Sequence, residues 1–152
     1  MEFFPACLER AASDEFAQRN EVKIALDGWG LWAAELRASG EFIGFIGLQR
    51  PPAELPFSPC VEIGWRLARA HWGKGLASEG ARAALRAGFE RLGLAEIVAF
   101  TPGMNRRSRA VMERIGMQED RRGAFEHPRV PPGPLRAHCL YRIGRERWAK
   151  LL

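Results

Sequence analysis

Between Trp72 and Ser78 the chain reads Trp-Gly-Lys-Gly-Leu-Ala-Ser, so two glycines flank a lysine just where an apolar-striped segment begins. Glycines there leave backbone N–H groups uncovered at a helix start, and bare amides at the positive end of a helix dipole bind anions, most often phosphate. A Walker-type loop is excluded: Gly73-Lys74-Gly75 is too short for that spacing, and no Ser or Thr follows the lysine. A dinucleotide fingerprint fits poorly. Only two of its three glycines occur over Gly73 to Ser78, and Glu96 opens the next strand instead of closing it. A glycine-rich turn without any ligand stays open on this pattern alone.

The elements that must position this turn are readable from periodicity. Upstream, residues 60–68 alternate Val61, Ile63, Trp65 and Leu67 with Glu62, Gly64 and Arg66, the period of a strand with two different faces. Downstream, Ala77, Ala81, Ala84, Leu85, Gly88 and Phe89 form the apolar stripe of a helix over residues 76–90, with Glu79, Arg82, Arg86 and Glu90 opposite. Residues 7–26 read as a helix, in two pieces split near Ser13-Asp14, with Leu8, Ala11, Ala12, Phe16 and Ile24 inward. Residues 29–36 and 42–48 are β-rich runs joined through Gly40, a hairpin signature. The four prolines within residues 50–59 mark a loop. Residues 96–101 read as a buried strand, Asn105 as an N-cap, and Gly116 as the stop of the helix it opens. Residues 117–125 and 137–145 are the last expected strands, and 127–134 a proline-rich loop at the mouth of a site.

Composition narrows the class. A chain of 152 residues with 47% hydrophobic and 27% charged content suits a single globular domain over residues 1–152. No apolar run has the length of a membrane span, so no membrane partner is expected. Three separated cysteines, Cys7, Cys60 and Cys139, without paired spacing indicate reduced thiols, a cytoplasmic setting and no metal site. The net charge of +5 comes mostly from arginines spread from Arg10 onward, a solvated surface rather than the clustered face a nucleic acid needs. One cluster, Arg106, Arg107 and Arg109, starts a helix, where cations oppose the dipole; a polyphosphate beside it would account for that placement.

Three segments together resemble the GNAT superfamily of N-acetyltransferases, and most nearly the branch of the ribosomal-protein N-terminal acetyltransferases. They are Glu62-Ile-Gly-Trp65-Arg-Leu67, Trp72-Gly-Lys-Gly-Leu-Ala-Ser-Glu-Gly80, and Asn105-Arg-Arg-Ser108 running on to Ile115-Gly-Met117. The resemblance spans residues 29–146. It implies an α/β (α+β) fold: a mostly antiparallel, mixed, twisted sheet with helices on both faces and splayed central strands. It also implies acetyl-CoA as co-substrate and an amine acceptor, with no metal. By that resemblance the backbone of Trp65, Arg66 and Leu67 pairs with the pantetheine arm. The amides of Gly73, Lys74, Gly75, Leu76, Ala77 and Ser78 hold the pyrophosphate, and Lys74 adds charge. Asn105 reaches the thioester end, and Ser108 protonates the departing sulfur.

Direct acetyl transfer asks mainly for positioning, a neutral amine and a proton for the thiolate. Glu62 is the candidate base, because its alternation with Ile63 and Trp65 turns it toward the cleft; a structural carboxylate is the alternative. His71 reads as local packing, while His127, in the loop, can meet substrate, and His138 is a weaker candidate. Where the family often has a polar residue three before Gly73, this chain has Ala70. Members of the family also open with a strand and a helix ahead of the part matching Phe3-Phe4-Pro5. The expectation is therefore fewer strands, an uncovered sheet edge, a monomer of marginal stability and a homodimer as one outcome. A non-catalytic acyl-CoA-binding module and a basic RNA-associated protein are the competing classes.

Overall fold

The computed structural model describes residues 2–3 and 7–152. The expectation resting on Phe3-Phe4-Pro5 therefore lies partly outside the described residues. A helix α1 (Arg10–Asp27) leads into a hairpin of β1 (Leu31–Glu35) and β2 (Phe42–Gln49), then β3 (Glu62–Leu67) and helix α2 (Leu76–Arg86). Next come β4 (Glu96–Pro102), helix α3 (Arg106–Arg114), the two-residue strands β5 (Gln118–Glu119) and β6 (Phe125–Glu126), β7 (Ala137–Gly144) and a terminal helix α4 (Arg145–Ala149).

All seven strands join one sheet in the order β1-β2-β3-β4-β7-β5, with β6 added against β7. Its pairings are antiparallel except β3 with β4, which run parallel. That parallel contact is confined to Glu62 opposite Val98, with the Val98 amide donating to the Val61 carbonyl at 2.9 Å. Beyond it the two strands separate, while β3 keeps its pairing with β2 as far as Leu67 opposite Gly44. The expected splay is thus present, and it opens where Trp65 and Phe100 stand.

Helices cover both faces. Neighbouring residues of β2 point to opposite sides: Ile46 meets α2 at Gly80, whereas the Phe45 ring lies 5.3 Å from that of Phe16 in α1. In the core that the helices share with the sheet, Leu48, Ile63, Leu85, Ile97, Tyr141 and Ile143 are almost wholly excluded from water. Phe89 stacks on Trp148 at 5.7 Å and fastens α4 to the same core. The stripe expected for α2 is the buried one, with Ala81, Ala84, Leu85, Gly88 and Phe89 inside.

Four local expectations are corrected. The first helix is one continuous piece from Arg10 to Asp27, and none of its residues is buried. Leu8, Ala11 and Ala12 are exposed, while Phe16 and Ile24 are only half-buried, because the helix rests on the sheet through these two side chains. The second helix keeps α-geometry only to Arg86 and finishes as a π-turn over Ala87–Arg91, where Gly88 and Phe89 are drawn into the core. The strand read over 60–68 is shorter, Glu62–Leu67, with Glu62, Ile63 and Leu67 buried and Gly64, Trp65 and Arg66 half-buried. Residues 117–125 do not form one continuous strand: a 3-10 turn at Arg121–Gly123, closed by Asp120 accepting the Gly123 amide, separates the short β5 from β6.

Candidate active site

The cleft between the diverging halves of β3 and β4 has a volume of about 310 Å³. Glu62, Gly64, Trp65 and Arg66 line it from β3; Phe100, Thr101 and Pro102 from β4; Asn105, Ser108 and Met112 from α3. His127 and Val130 from the proline-rich loop, Leu135 just after it, and His138 also line it. Over Trp65 to Leu67 the β3 backbone faces no strand on this side among the described residues, since the ladder to β4 ends at Glu62. An extended polyamide arm fits such an exposed edge by adding hydrogen bonds as another strand would. One group on that edge already has a protein partner: the Leu67 carbonyl accepts the Trp72 indole N–H at 2.8 Å.

At the end of this edge comes the glycine turn. Gly73 and Gly75 take φ of 75° and 80°, left-handed values that an L-residue adopts at a cost. Gly75 caps α2 and has no side chain to give to it, so the helix start carries no side-chain cap. The first intrahelical closure is from the Glu79 amide to the Gly75 carbonyl at 3.0 Å. The amides of Leu76, Ala77 and Ser78 therefore precede the first closed turn. The Ser78 hydroxyl is buried and accepts from Arg114 of α3 at 3.1 Å, which ties the start of α2 to α3. Lys74 stands exposed on the rim. Arg107, of the basic cluster, lies 5.0 Å above the Trp72 ring, next to the turn. Arg109 does not join it: that side chain is turned away toward the Tyr141 hydroxyl, the Gly103 carbonyl and Glu119.

Asn105 performs the capping role read from the sequence, its Oδ1 accepting the Ser108 amide at 3.2 Å. Its Nδ2 donates to Thr101 Oγ1 and to Ser108 Oγ, both at 3.0 Å. Every donor of this amide is thus used within the protein, and the Ser108 backbone N–H, which can only donate, fixes Oδ1 on its side. A direct contact from Asn105 to a thioester is left with a lone pair of Oδ1 only.

Glu62 is buried at the floor of the cleft and accepts from Gln49 Nε2 at 2.9 Å. Removal from water disfavours its charged form and pushes its pKa up from 4.5 to about 7, with the Gln49 hydrogen bond pulling weakly the other way. A carboxyl poised there exchanges protons near neutral pH. His71 is buried away from the cleft with Nε2 3.1 Å from Glu41, the packing role expected of it. Among the described residues no group of three or more metal-ligating side chains occurs.

Gln49 and Thr101 were not singled out by sequence, since neither lies in a recognisable spacing; each acts by orienting a residue that does. A signal for the aromatic lining was present in Phe57, Phe100 and Phe125, but they come from three separate segments that only the fold brings together.

Comparison with known proteins is consistent with this geometry. A family model described as an acetyltransferase (GNAT) domain matches residues 1–118. The FsC-acetyl coenzyme A-N(2)-transacetylase of Aspergillus fumigatus is 37% identical over 131 residues, which cover 84% of this chain; the chain spans 55%, about half, of that relative's length. An uncharacterized protein, YkkB, of Bacillus subtilis is 33% identical over 117 residues, covering 77% of this chain and 67% of the relative. Among solved structures, an acetyltransferase (GNAT family) from Bacillus anthracis superposes with a TM-score of 0.74 at 27% identity, covering 93% of this chain and 78% of the other. A matched domain, the splayed parallel pair and the glycine turn ahead of α2 agree: this chain belongs to the GNAT acetyltransferase family.

Proposed function

We propose that the protein is an N-acetyltransferase that moves the acetyl group of acetyl-CoA directly to a primary amine, a protein N-terminus or a small molecule, within one domain. The observation that carries this reading is the α2 start: three amides ahead of the first closed turn, with no side-chain cap, at the end of the β3 edge that β4 leaves after Glu62. A diphosphate on those amides and an amide-bearing arm along Trp65 to Leu67 fit the two features together. Motif likeness to the ribosomal-protein N-terminal acetyltransferases supports that branch. The free cysteines Cys7, Cys60 and Cys139 support a cytoplasmic setting.

In this reading the thioester supplies the activation, and the chain supplies geometry and protons. Glu62, with its pKa near the working pH, takes the proton of the attacking amine. As the new N–C bond forms and the C–S bond breaks, the Ser108 hydroxyl gives its proton to the leaving sulfur and recovers one from solvent.

The test is release of free thiol from acetyl-CoA on adding a panel of primary amines, with mass detection of the acetylated amine. Amine-dependent release is expected. Binding of acetyl-CoA without transfer to any amine would favour the non-catalytic acyl-CoA module instead.

A further inference from the structure

We propose that the acceptor is a small monoamine carrying an aromatic or other flat apolar group close to its nitrogen, seated against a wall of phenylalanine and imidazole rings. This rests on the acetyl-transfer reading and deepens it by naming the acceptor class. Phe100, His127 and His138 face the cleft. Phe57 and Phe125 stand behind them: Phe125 meets Phe100 edge-on at 5.6 Å and Phe57 edge-on at 5.0 Å. The His127 and His138 rings are 5.0 Å apart, and His127 is 5.9 Å from Phe100. A two-layer aromatic wall of this kind offers ring faces and edges to another flat group.

The wall is also electrically neutral. Burial, helped by the charge of Arg129, pushes His127 below the usual imidazole range. Burial does the same to His138, where the neighbouring His127 adds to it and the bond to Arg136 opposes it. Nearby carboxylates are committed elsewhere, Glu54 to Arg129 and Glu126 to Arg136. Among the described residues lining the cleft, Glu62 is the one carboxyl, and the Arg66 guanidinium already sits there, 5.4 Å from the Phe45 ring centre. A polyamine would bring several cations to a lining with one acid and one resident cation, whereas a single neutral amine meets no such conflict. His138 Nδ1 lies 2.9 Å from the Arg136 carbonyl, which can only accept, so Nδ1 carries the proton. Nε2 then holds a lone pair able to accept an N–H of that amine.

The experiment measures kcat/KM for phenethylamine, butylamine, spermidine and a serine-initiated tetrapeptide, alongside acetyl-CoA binding by calorimetry. Phenethylamine is expected to exceed each of the others by roughly tenfold or more. In His127→Ala the preference for phenethylamine over butylamine should fall roughly 2- to 10-fold, the contribution of one aromatic contact. His127→Phe, which keeps a ring on that half-exposed loop, should restore it. Equal or better use of butylamine, spermidine or the peptide overturns the acceptor assignment while leaving acetyl transfer standing. Binding of acetyl-CoA with no acetylation of phenethylamine overturns it as well, and failure to bind acetyl-CoA overturns both.

Discussion

Asn105 donates a side-chain N–H to the Ser108 hydroxyl at 3.0 Å, so Ser108 Oγ is an acceptor in the resting site and its own proton is left for another partner. Thr101 takes the second N–H of the same amide, and the Ser108 backbone N–H on Oδ1 fixes which end of Asn105 faces the serine hydroxyl. The pair orients a hydroxyl proton before any sulfur arrives.

Ser108→Ala should therefore lower kcat by roughly 10²-fold, the usual contribution of a positioned acid, with little change in the affinity for acetyl-CoA. Asn105→Ala should lower kcat and also cost about 1 kcal/mol of stability, because it removes the α3 cap. Steady-state kinetics with denaturant unfolding separates the two. A Ser108→Ala enzyme of undiminished kcat would remove the acid role.

The rate should rise with pH through an inflection near 7, where Glu62 loses its proton and becomes a base. Glu62→Gln should erase that inflection and lower the plateau roughly 10²-fold, while the limb from the amine's own deprotonation stays. A pH–kcat/KM profile of both proteins decides it; an inflection surviving in the variant assigns it to another group.

Stability should carry the same signature with a definite sign. The folded state holds the Glu62 proton up to about pH 7, whereas the unfolded chain releases it near 4.5. Between those values the native state binds more protons, so this carboxyl's contribution falls as pH rises, by about 3 kcal/mol at most. Glu62→Gln, whose amide stays neutral, should be flatter over that interval. Denaturant midpoints at a series of pH values give the comparison, and parallel curves for the two proteins would contradict it.

Gly44 of β2 lies opposite Leu67, and an added Cβ there would stand 2.0 Å from the Arg66 carbonyl oxygen, at a φ of 142°. Backbone cannot yield as a side-chain tip can. Gly44→Ala should cost about 3 kcal/mol or leave the protein unfolded, and it should weaken acetyl-CoA binding through the displaced β3 edge. Thermal unfolding showing less than about 1 kcal/mol of loss would mean that the strand pair adapts.

Much of the site was legible because its signals are local. The Gly73-Lys74-Gly75 turn, the period-2 strand that carries Glu62 and the Asn105 cap each declare themselves within a few residues, and the three motifs fix their order. Alternation along β3 put Glu62 on the cleft, where it stands, but it also assigned Trp65 and Ile63 to the core, and both touch the cleft because the strand edge opens there. What escaped depends on contacts distant in sequence. Gln49 reaches Glu62 across a hairpin-to-loop connection, and the Phe57, Phe100, Phe125 wall draws on three segments. The periodicity of residues 7–26 misled for a related reason: apolar spacing marks a face that is able to pack, and in α1 only Phe16 and Ile24 find partners.

The central claim is that the amides ahead of α2 hold a diphosphate, and calorimetric titration of acetyl-CoA into the wild-type protein and Gly73→Asp tests it most directly. Asp tolerates the left-handed conformation at this position, so the fold should persist by circular dichroism, while its carboxylate repels the anion. Saturable binding to the wild type, weakened at least roughly tenfold in the variant, is the expected result. Equal affinity in the two proteins, or no binding to the wild type, would contradict it.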